Sequence, residues 1–140
     1  MYMEYMMNVT VQEQETLVAH ALEARKTAYC PHSNYAVGAA VLTSDNHIVT
    51  AANVEAVSST LHNCAERIAL ANAFLQGHRK IKALAMVTED GQAPCGTCRQ
   101  IIYELCPNVH IIIAKTDKTY ITTSIAQLLP AAFKRATCGS

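Results

Sequence analysis

The sequence lacks several features that mark specialised classes of protein. Its 11 Lys and Arg are balanced by 11 Asp and Glu, so neither sign of charge is in excess. A chain without a basic excess is poorly suited to binding phosphate backbones, and we expect no nucleic acid partner. Only 5 Gly and 4 Pro occur in 140 residues, which excludes a collagen-like chain.

Long hydrophobic runs are also missing. No apolar stretch approaches the roughly 18 residues of a membrane span, so we expect no membrane partner. The N-terminus has no positively charged region and contains Glu4, which argues against a secretory signal and favours a cytoplasmic protein. Residues 1–9 have no regular pattern and are expected to form a loosely ordered tail, followed by a single domain over 10–140.

The residues that are present have a globular composition, with 51% hydrophobic and 16% charged residues. Their periodicity predicts the order α-β-β-α-β-α-β-β-α in one layered α/β domain. The second helix is apolar on nearly every side, so we expect it to be covered on more than one side. The predicted helices span about 10–28, 64–76, 95–106 and 124–129, and the predicted strands span 37–43, 48–53, 81–88, 111–114 and 119–122.

Cysteine is used in a clustered way. Six cysteines occur, and Cys95 and Cys98 form a C-x-x-C pair. That pair alone is ambiguous, because it suits a redox dithiol, half of a structural zinc site or part of a catalytic zinc site. Cys30, Cys106 and Cys138 have no spacing partner and are interpreted as small hydrophobes or tail thiols.

Two predicted helices begin with cysteine, one at Cys64 and one at Cys95. If these helices lie side by side on one face of a sheet, their N-termini bring three thiols together, with Cys95 and Cys98 both facing the core. Helix N-termini favour thiolates. Three thiolates on Zn²⁺ leave a fourth position open, where water acquires a pKa near 7, as in a catalytic site.

Charged residues beside Cys64 fit that chemistry. Glu66 begins an otherwise apolar helix, and at two residues from Cys64 it should not be a ligand, so we expect it to carry a proton. Arg67 would offset the net charge of −1 on three thiolates and a dication. His62 is the alternative fourth ligand of a closed structural site, although its spacing to Cys64 is poor. The other histidines considered, at 20, 47, 78 and 110, look like surface or turn residues.

These motifs resemble those of a known family. Zinc nucleobase deaminases have a His or Cys ligand, a nearby Glu and then P-C-x-x-C. Cys64-Ala65-Glu66 followed by Pro94-Cys95-Gly96-Thr97-Cys98 is the all-cysteine form. Over about residues 12–133 the chain resembles the small homo-oligomeric cytidine deaminases, which are related to the blasticidin S deaminases. The segments 28–40, 53–55 and 128–133 match as well.

The resemblance implies a three-layer α/β/α cytidine deaminase-like sandwich with a central mixed five-stranded sheet, usually assembled as a homotetramer. It implies one Zn²⁺ per subunit and a nucleoside substrate. The residues that match the family's zinc ligands are Cys64, Cys95 and Cys98, and Glu66 matches its proton shuttle. The implied substrate-binding residues are Asn53 and Glu55 for the ribose, Tyr35 and Ala65 for the base pocket, and Phe133 for closing a neighbouring subunit's pocket.

The function predicted in this way is hydrolytic deamination of cytidine and 2′-deoxycytidine, with release of ammonia, in pyrimidine salvage. One departure from the family follows Glu55: Ser59 stands where cytidine deaminases commonly have a Tyr near a subunit interface. The alternatives are a deaminase of a modified cytosine nucleoside or of blasticidin S, and a non-catalytic zinc-binding interaction module. Asn53, Glu55 and Arg67 favour the cytidine enzymes.

Overall fold

A five-stranded sheet organises the fold. The structure is a computed structural model that describes residues 8–58 and 64–134. The predicted order of elements is confirmed, with most boundaries shifted by one to three residues. The elements are α1 (Val11–Arg25), β1 (Gly38–Thr43), β2 (Ile48–Ala52), α2 (Ala65–Leu75), β3 (Ile81–Thr88), α3 (Gly96–Leu105), β4 (His110–Lys115), β5 (Tyr120–Ser124) and α4 (Ile125–Leu128).

The strands lie in the order β2-β1-β3-β4-β5. β3 and β4 are parallel, whereas the other neighbouring pairs are antiparallel. The parallel pair requires a crossover connection, which α3 supplies. The predicted mixed five-stranded sheet is therefore confirmed.

Alternating side chains divide the sheet into two apolar faces. In β1, Ala39 and Val41 pack in one cluster with buried residues of α2 and α3. Ala40 and Leu42 point the other way and pack in a second cluster with α1. Helices thus cover both faces of the sheet, which confirms the three-layer α/β/α architecture.

Helix α1 lies very close to β1. A capping box formed by Thr10 and Glu13 begins the helix. A Cβ atom at Gly38 would lie 2.0 Å from the carbonyl oxygen of Ala21, so only glycine allows this approach. The helix ends at Arg25 rather than near residue 28, because the N–H groups of Thr27 and Ala28 bond carbonyls only three residues back.

Two expectations concern exposure. Helix α2 packs on the sheet, and within the described residues of this single chain its other side is open, since Ala71 is exposed and Leu75 is 86% exposed; that a further layer covers this side stays a prediction. His110 is not a surface or turn residue, because it lies in β4 and is half-buried. The expected tail falls mostly on residues 1–7, which lie outside the described residues. Across residues 8–58 and 64–134, every helix is too short or too polar to cross a membrane.

Candidate active site

Three thiols meet where α2 and α3 begin. Cys64 is the N-cap of α2, Cys95 is the N-cap of α3, and Cys98 lies in the first turn of α3. Their sulfur atoms all lie within 4.8 Å of one another, and the Cys64 and Cys95 sulfurs are 3.9 Å apart. The predicted meeting of two cysteine-capped helix starts is confirmed. The expectation that both α3 thiols face the core is wrong, because Cys98 is buried but Cys95 is exposed at the helix cap.

This donor set fits a zinc ion. Sulfurs bound at about 2.3 Å around a tetrahedral ion lie about 3.8 Å apart, close to the separation of Cys64 and Cys95. A hydrogen bond to Cys64, together with burial, raises the pKa of the Cys98 thiol. Three thiolates this close would repel one another unless a cation lay among them. The two helix N-termini add positive potential, so sulfur chemistry, spacing and local field all suit Zn²⁺.

Glu66 is buried beside the thiols. It lies in the first turn of α2 and is 3% exposed. Burial raises the pKa of Glu66 to about 7, and the nearby Cys64 contributes in the same direction. A carboxyl group with such a pKa both accepts and donates a proton near neutral pH.

An open cleft of about 380 Å³ leads to this carboxylate. Pockets of this size hold small molecules. The cleft is lined by four of the five residues predicted to bind substrate, together with Glu66 and two of the three predicted zinc ligands. Its lining is Ser33, Tyr35, Val37, Asn53, Glu55, Cys64, Ala65, Glu66, Met86, Thr88, Gln92, Ala93 and Cys95.

Asn53 is buried just after the end of β2. Its side chain connects this strand to the segment that forms one part of the cleft wall. Its Oδ1 accepts a hydrogen bond from the Val37 N–H at 2.9 Å, and its Nδ2 donates to the Tyr35 carbonyl at 2.9 Å. These bonds hold the segment before β1 in place. The amide nitrogen carries a second hydrogen, which a substrate hydroxyl would accept.

Glu55 is buried two residues further on and holds a second segment of the wall. Its Oε1 accepts hydrogen bonds from the N–H groups of His32 at 2.9 Å and Ser33 at 3.1 Å, and its Oε2 accepts from the Ser33 hydroxyl. Residues 53 and 55 both line the cleft, and their contact with the ribose stays a prediction. Both side chains also build the wall, a role that the sequence did not suggest.

Tyr35 lies on the cleft wall and contacts the loop after β3. Its hydroxyl donates a hydrogen bond of 2.6 Å to Asp90 Oδ1. Burial and this carboxylate raise the pKa of Tyr35. Asp90 also accepts a hydrogen bond from Gln92 Nε2 at 3.0 Å, so a short polar chain connects Tyr35 and Gln92, which both line the cleft.

Sequence reasoning missed several lining residues, most clearly Thr88. This residue ends β3, and its Oγ1 accepts hydrogen bonds from the N–H groups of Gly91 and Gln92, which shapes the loop before α3. Because sites lie at the carboxyl ends of parallel strands, the position of Thr88 was the available signal. Ser33 lies in the matched segment 28–40 but was given no role of its own, and Gln92 offered no comparable pattern.

Some predicted residues lie away from the cleft lining. Phe133 is 68% exposed, and its main chain bonds both polar atoms of the Gln100 side chain. Arg67 is half-buried, and its charge lowers the pKa of Glu66 slightly against the effect of burial. Ser59 and His62 lie outside the described residues.

Comparison with known proteins agrees with this site. Residues 11–114 match the family described as the cytidine and deoxycytidylate deaminase zinc-binding region. The cytidine deaminase of Halalkalibacterium halodurans is 38% identical over 124 residues, covering 86% of this chain and 94% of that protein. The cytidine deaminase of Sporosarcina psychrophila is 40% identical over 124 residues, covering 86% and 91%.

Solved structures agree as well. The crystal structure of cytidine deaminase from Burkholderia pseudomallei matches with a TM-score of 0.83 and 40% identity, over 89% of this chain and 100% of that one.

A more distant relative by sequence is the blasticidin-S deaminase of Bacillus cereus, at 28% identity over 138 residues, covering 91% of this chain and 96% of that protein. Motif, fold and thiol cluster lead to one conclusion: the chain belongs to the zinc-binding cytidine and deoxycytidylate deaminase family.

Proposed function

We propose that the protein hydrolyses the C4 amine of cytidine and 2′-deoxycytidine, giving uridine and 2′-deoxyuridine with release of ammonia. One observation carries the proposal: the buried carboxylate of Glu66 lies beside three clustered thiols on the wall of a nucleoside-sized cleft. A zinc ion held by Cys64, Cys95 and Cys98 supplies, when bound, a Lewis acid that lowers the pKa of water.

Glu66 is the proposed carrier of protons. Its carboxylate takes a proton from the attacking water, delivers it to ring N3, and then assists proton transfer to the departing amine. Because the side chain is 3% exposed, bulk water competes poorly for these protons. Positioned acid–base help of this kind contributes about 10²–10⁴-fold to a rate.

Asn53, Glu55 and Tyr35 are the proposed substrate contacts. The second amide hydrogen of Asn53 and the carboxylate of Glu55 suit ribose hydroxyls, which both donate and accept hydrogen bonds. The ring of Tyr35 offers an aromatic wall for the base. Ala65 lines the same cleft, where a small side chain leaves room for the cytosine ring. Arg67 is proposed to offset the thiolate charge, since it lies next to Glu66 in the chain and its charge reaches that carboxyl.

The test is Glu66→Gln in zinc-loaded protein, assayed by the ultraviolet change on conversion of cytidine to uridine. We expect about 10²–10⁴-fold lower turnover with zinc content unchanged. Glu104→Gln is the matched control, because Glu104 is exposed on α3 and its carboxylate accepts a hydrogen bond from Gln100 Nε2 at 2.8 Å on the helix surface. Undiminished turnover by Glu66→Gln would rule out Glu66 as the proton carrier.

A substrate panel separates the rival enzymes. The match to a blasticidin-S deaminase makes that antibiotic the second candidate substrate. Zinc-loaded protein is therefore assayed with cytidine, 2′-deoxycytidine, modified cytosine nucleosides and blasticidin S under one set of conditions. Preference for either unmodified nucleoside supports the proposal, and preference for blasticidin S contradicts it. No absorbance change with any pyrimidine would favour the zinc-binding interaction module.

We also propose a homotetramer in the cytoplasm. Large apolar side chains are exposed on the described surface, including Val57 at 93%, Leu75 at 86% and Phe133 at 68%, and contact with further copies would cover them. Phe133 is then the candidate to close a neighbouring subunit's cleft. The five cysteines in the described ranges form no disulfide, which suits a reducing compartment. Light scattering of the purified protein tests the assembly.

A further inference from the structure

A second group of potential metal ligands lies at the other end of α2. The Nδ1 atom of His47 is 3.3 Å from Asp45 Oδ2, and the Nδ1 atom of His78 is 3.3 Å from Asp45 Oδ1. The three ligand atoms all lie within 4.8 Å of one another, and the two imidazole centres are 4.9 Å apart. Within residues 8–58 and 64–134, this is the other group of three that could hold an ion.

Main-chain hydrogen bonds hold the segments that carry these residues close to one another. Asp45 and His47 belong to the turn between β1 and β2, and His78 follows the C-terminus of α2. The Ser44 N–H bonds the Lys80 carbonyl at 2.9 Å, which fastens the turn to the segment after α2. The His78 N–H bonds the Ala73 carbonyl at 3.0 Å, so the end of the helix fixes its backbone.

The fully buried Thr43 contacts two of the three residues, one through its side chain and one through its main chain. Its hydroxyl donates to Asp45 Oδ1 at 2.5 Å, and the same oxygen accepts the His47 N–H at 2.9 Å. The bond from Thr43 also lowers the pKa of Asp45, so its carboxylate is ionised at neutral pH. One buried hydroxyl therefore positions the carboxylate of Asp45 and the main chain of His47.

We propose that Asp45, His47 and His78 form a second divalent metal site, separate from the thiol cluster. Two imidazole nitrogens and one carboxylate suit Zn²⁺, Co²⁺ and Ni²⁺ better than Mg²⁺ or Ca²⁺, which prefer oxygen ligands. Ligands bound at about 2.0–2.1 Å around a tetrahedral ion lie about 3.3–3.4 Å apart. The Nδ1 atoms of His47 and His78 each lie at about that distance from a different oxygen of Asp45, Oδ2 and Oδ1 respectively, so the carboxylate faces both imidazoles. Water would occupy the remaining coordination positions of the ion, because the side chains of Asp45 and His47 are more than half exposed.

The proposed site is remote from the reaction. Helix α2 has 11 residues and is therefore about 16 Å long, with Cys64 capping its start and His78 following its end. A bound ion would join the β1–β2 turn to the end of α2 without entering the cleft. It would raise the thermal stability of the protein, because an ion that binds only the folded state stabilises that state.

The experiment starts from protein that holds one Zn²⁺ per chain, titrates it with Co²⁺ and follows visible absorption. We expect one further equivalent of Co²⁺ to bind saturably. Its spectrum should show d–d bands and no sulfur-to-cobalt charge-transfer band. His78→Gln and Asp45→Asn should each weaken this binding at least about 10-fold, in line with losses on altering a metal site. His20→Gln is the matched control: this exposed histidine bonds the Thr16 carbonyl on α1 at 2.9 Å, and its loss should leave binding unchanged.

Two further readouts keep the result decisive. Cytidine turnover should stay unchanged in His78→Gln and Asp45→Asn, which would show that fold and thiol site are intact. In ¹⁵N spectra of the histidine rings, Zn²⁺ should shift the Nδ1 signals of His47 and His78 together. No saturable equivalent, undiminished binding by His78→Gln, or cobalt bands with sulfur character would each overturn the proposal. In the first case the group would be two imidazoles hydrogen-bonded to one carboxylate.

Discussion

The two faces of the sheet differ in what they bury. The face under α1 buries an apolar cluster in which Leu17, Val18 and Ala21 pack against alternate residues of the central strands. The opposite face is also apolar, but at one end it is bordered by Glu66 and Cys98, at the starts of α2 and α3. Both faces stabilise the fold. The second face also positions Glu66 at the cleft, whereas the ion pair of Glu13 with Lys82 on the α1 face lies away from the cleft lining.

This difference has a simple physical origin. Helix α1 begins with an exposed capping box, in which Thr10 and Glu13 satisfy the free N–H groups. In α2 and α3 a cysteine occupies the N-cap without a side-chain capping bond, so the positive helix ends remain directed at the thiols. Removing residues from the α1 face should therefore affect stability, and removing residues at the starts of α2 and α3 should affect chemistry.

The largest expected effect is that of Cys98→Ala on the chemical face. This fully buried thiol is one of three proposed ligands, and two thiols alone bind zinc much more weakly. We expect loss of bound zinc and at least about 1000-fold lower deamination, because metal activation of water supplies several kcal/mol. Metal analysis and the cytidine assay on the same preparation measure both effects.

Cys106→Ala is the control for that substitution. Cys106 is a second buried thiol on the same helix, at its C-cap, and burial raises its pKa to about 12, so it stays a thiol. The variant should keep its zinc and its activity. Equal zinc loss in both variants would mean that any cavity in α3 disrupts the site, and the division between the two faces would fail.

Leu17→Ala is the corresponding change on the α1 face. Leu17 is 1% exposed, and such a truncation costs about 2–5 kcal/mol of unfolding free energy. Denaturant unfolding measures the loss, and turnover per folded molecule should not change. The exposed Val11, in the first turn of the same helix, is the control, since Val11→Ala should alter stability by less than about 0.5 kcal/mol. A large fall in turnover by Leu17→Ala would show that the α1 face also controls chemistry.

The arrangement of the helices and strands was easier to predict from the sequence than the exposure of their side chains. The apolar runs of β1 and β3, the helical periodicity and the cysteines at two helix starts are all visible in the sequence, so the sheet, the helices and the thiol cluster were predictable. Exposure was harder, because the solvent contact of Cys95 and Leu75 depends on which elements lie beside α2 and α3. Asp45 and His78 are 33 positions apart in the sequence, and only the tertiary structure brings the turn and the helix end together.

Glu55→Gln tests whether a cleft residue can serve both packing and chemistry. The carboxylate accepts three hydrogen bonds from His32 and Ser33, and a neutral amide would accept them more weakly. We expect a loss of about 1–2 kcal/mol in stability and a rise of about 10-fold in KM for cytidine. Unfolding curves and steady-state kinetics measure the two effects separately.

Glu23→Gln is the control for Glu55→Gln. Glu23, on α1, forms an exposed ion pair with Lys26 at the C-cap of that helix, and such pairs contribute little to stability. This variant should match the unsubstituted protein in both measurements. If Glu55→Gln lowered stability but left KM unchanged, Glu55 would be a wall residue and not a ribose contact.

The smallest expected effect is that of Tyr35→Phe, which separates the ring of Tyr35 from its hydroxyl. The variant keeps the aromatic wall of the cleft and removes only the 2.6 Å hydrogen bond to Asp90. Because that bond is exposed, its loss should cost less than about 1 kcal/mol of stability and change KM less than about 5-fold. Asp90→Asn keeps the tyrosine hydroxyl and removes the charge of its partner, so the two variants should agree if the hydroxyl acts only through Asp90. A large loss of kcat in Tyr35→Phe alone would instead mean that the hydroxyl contacts the substrate directly, and the cleft wall would then belong to the catalytic machinery.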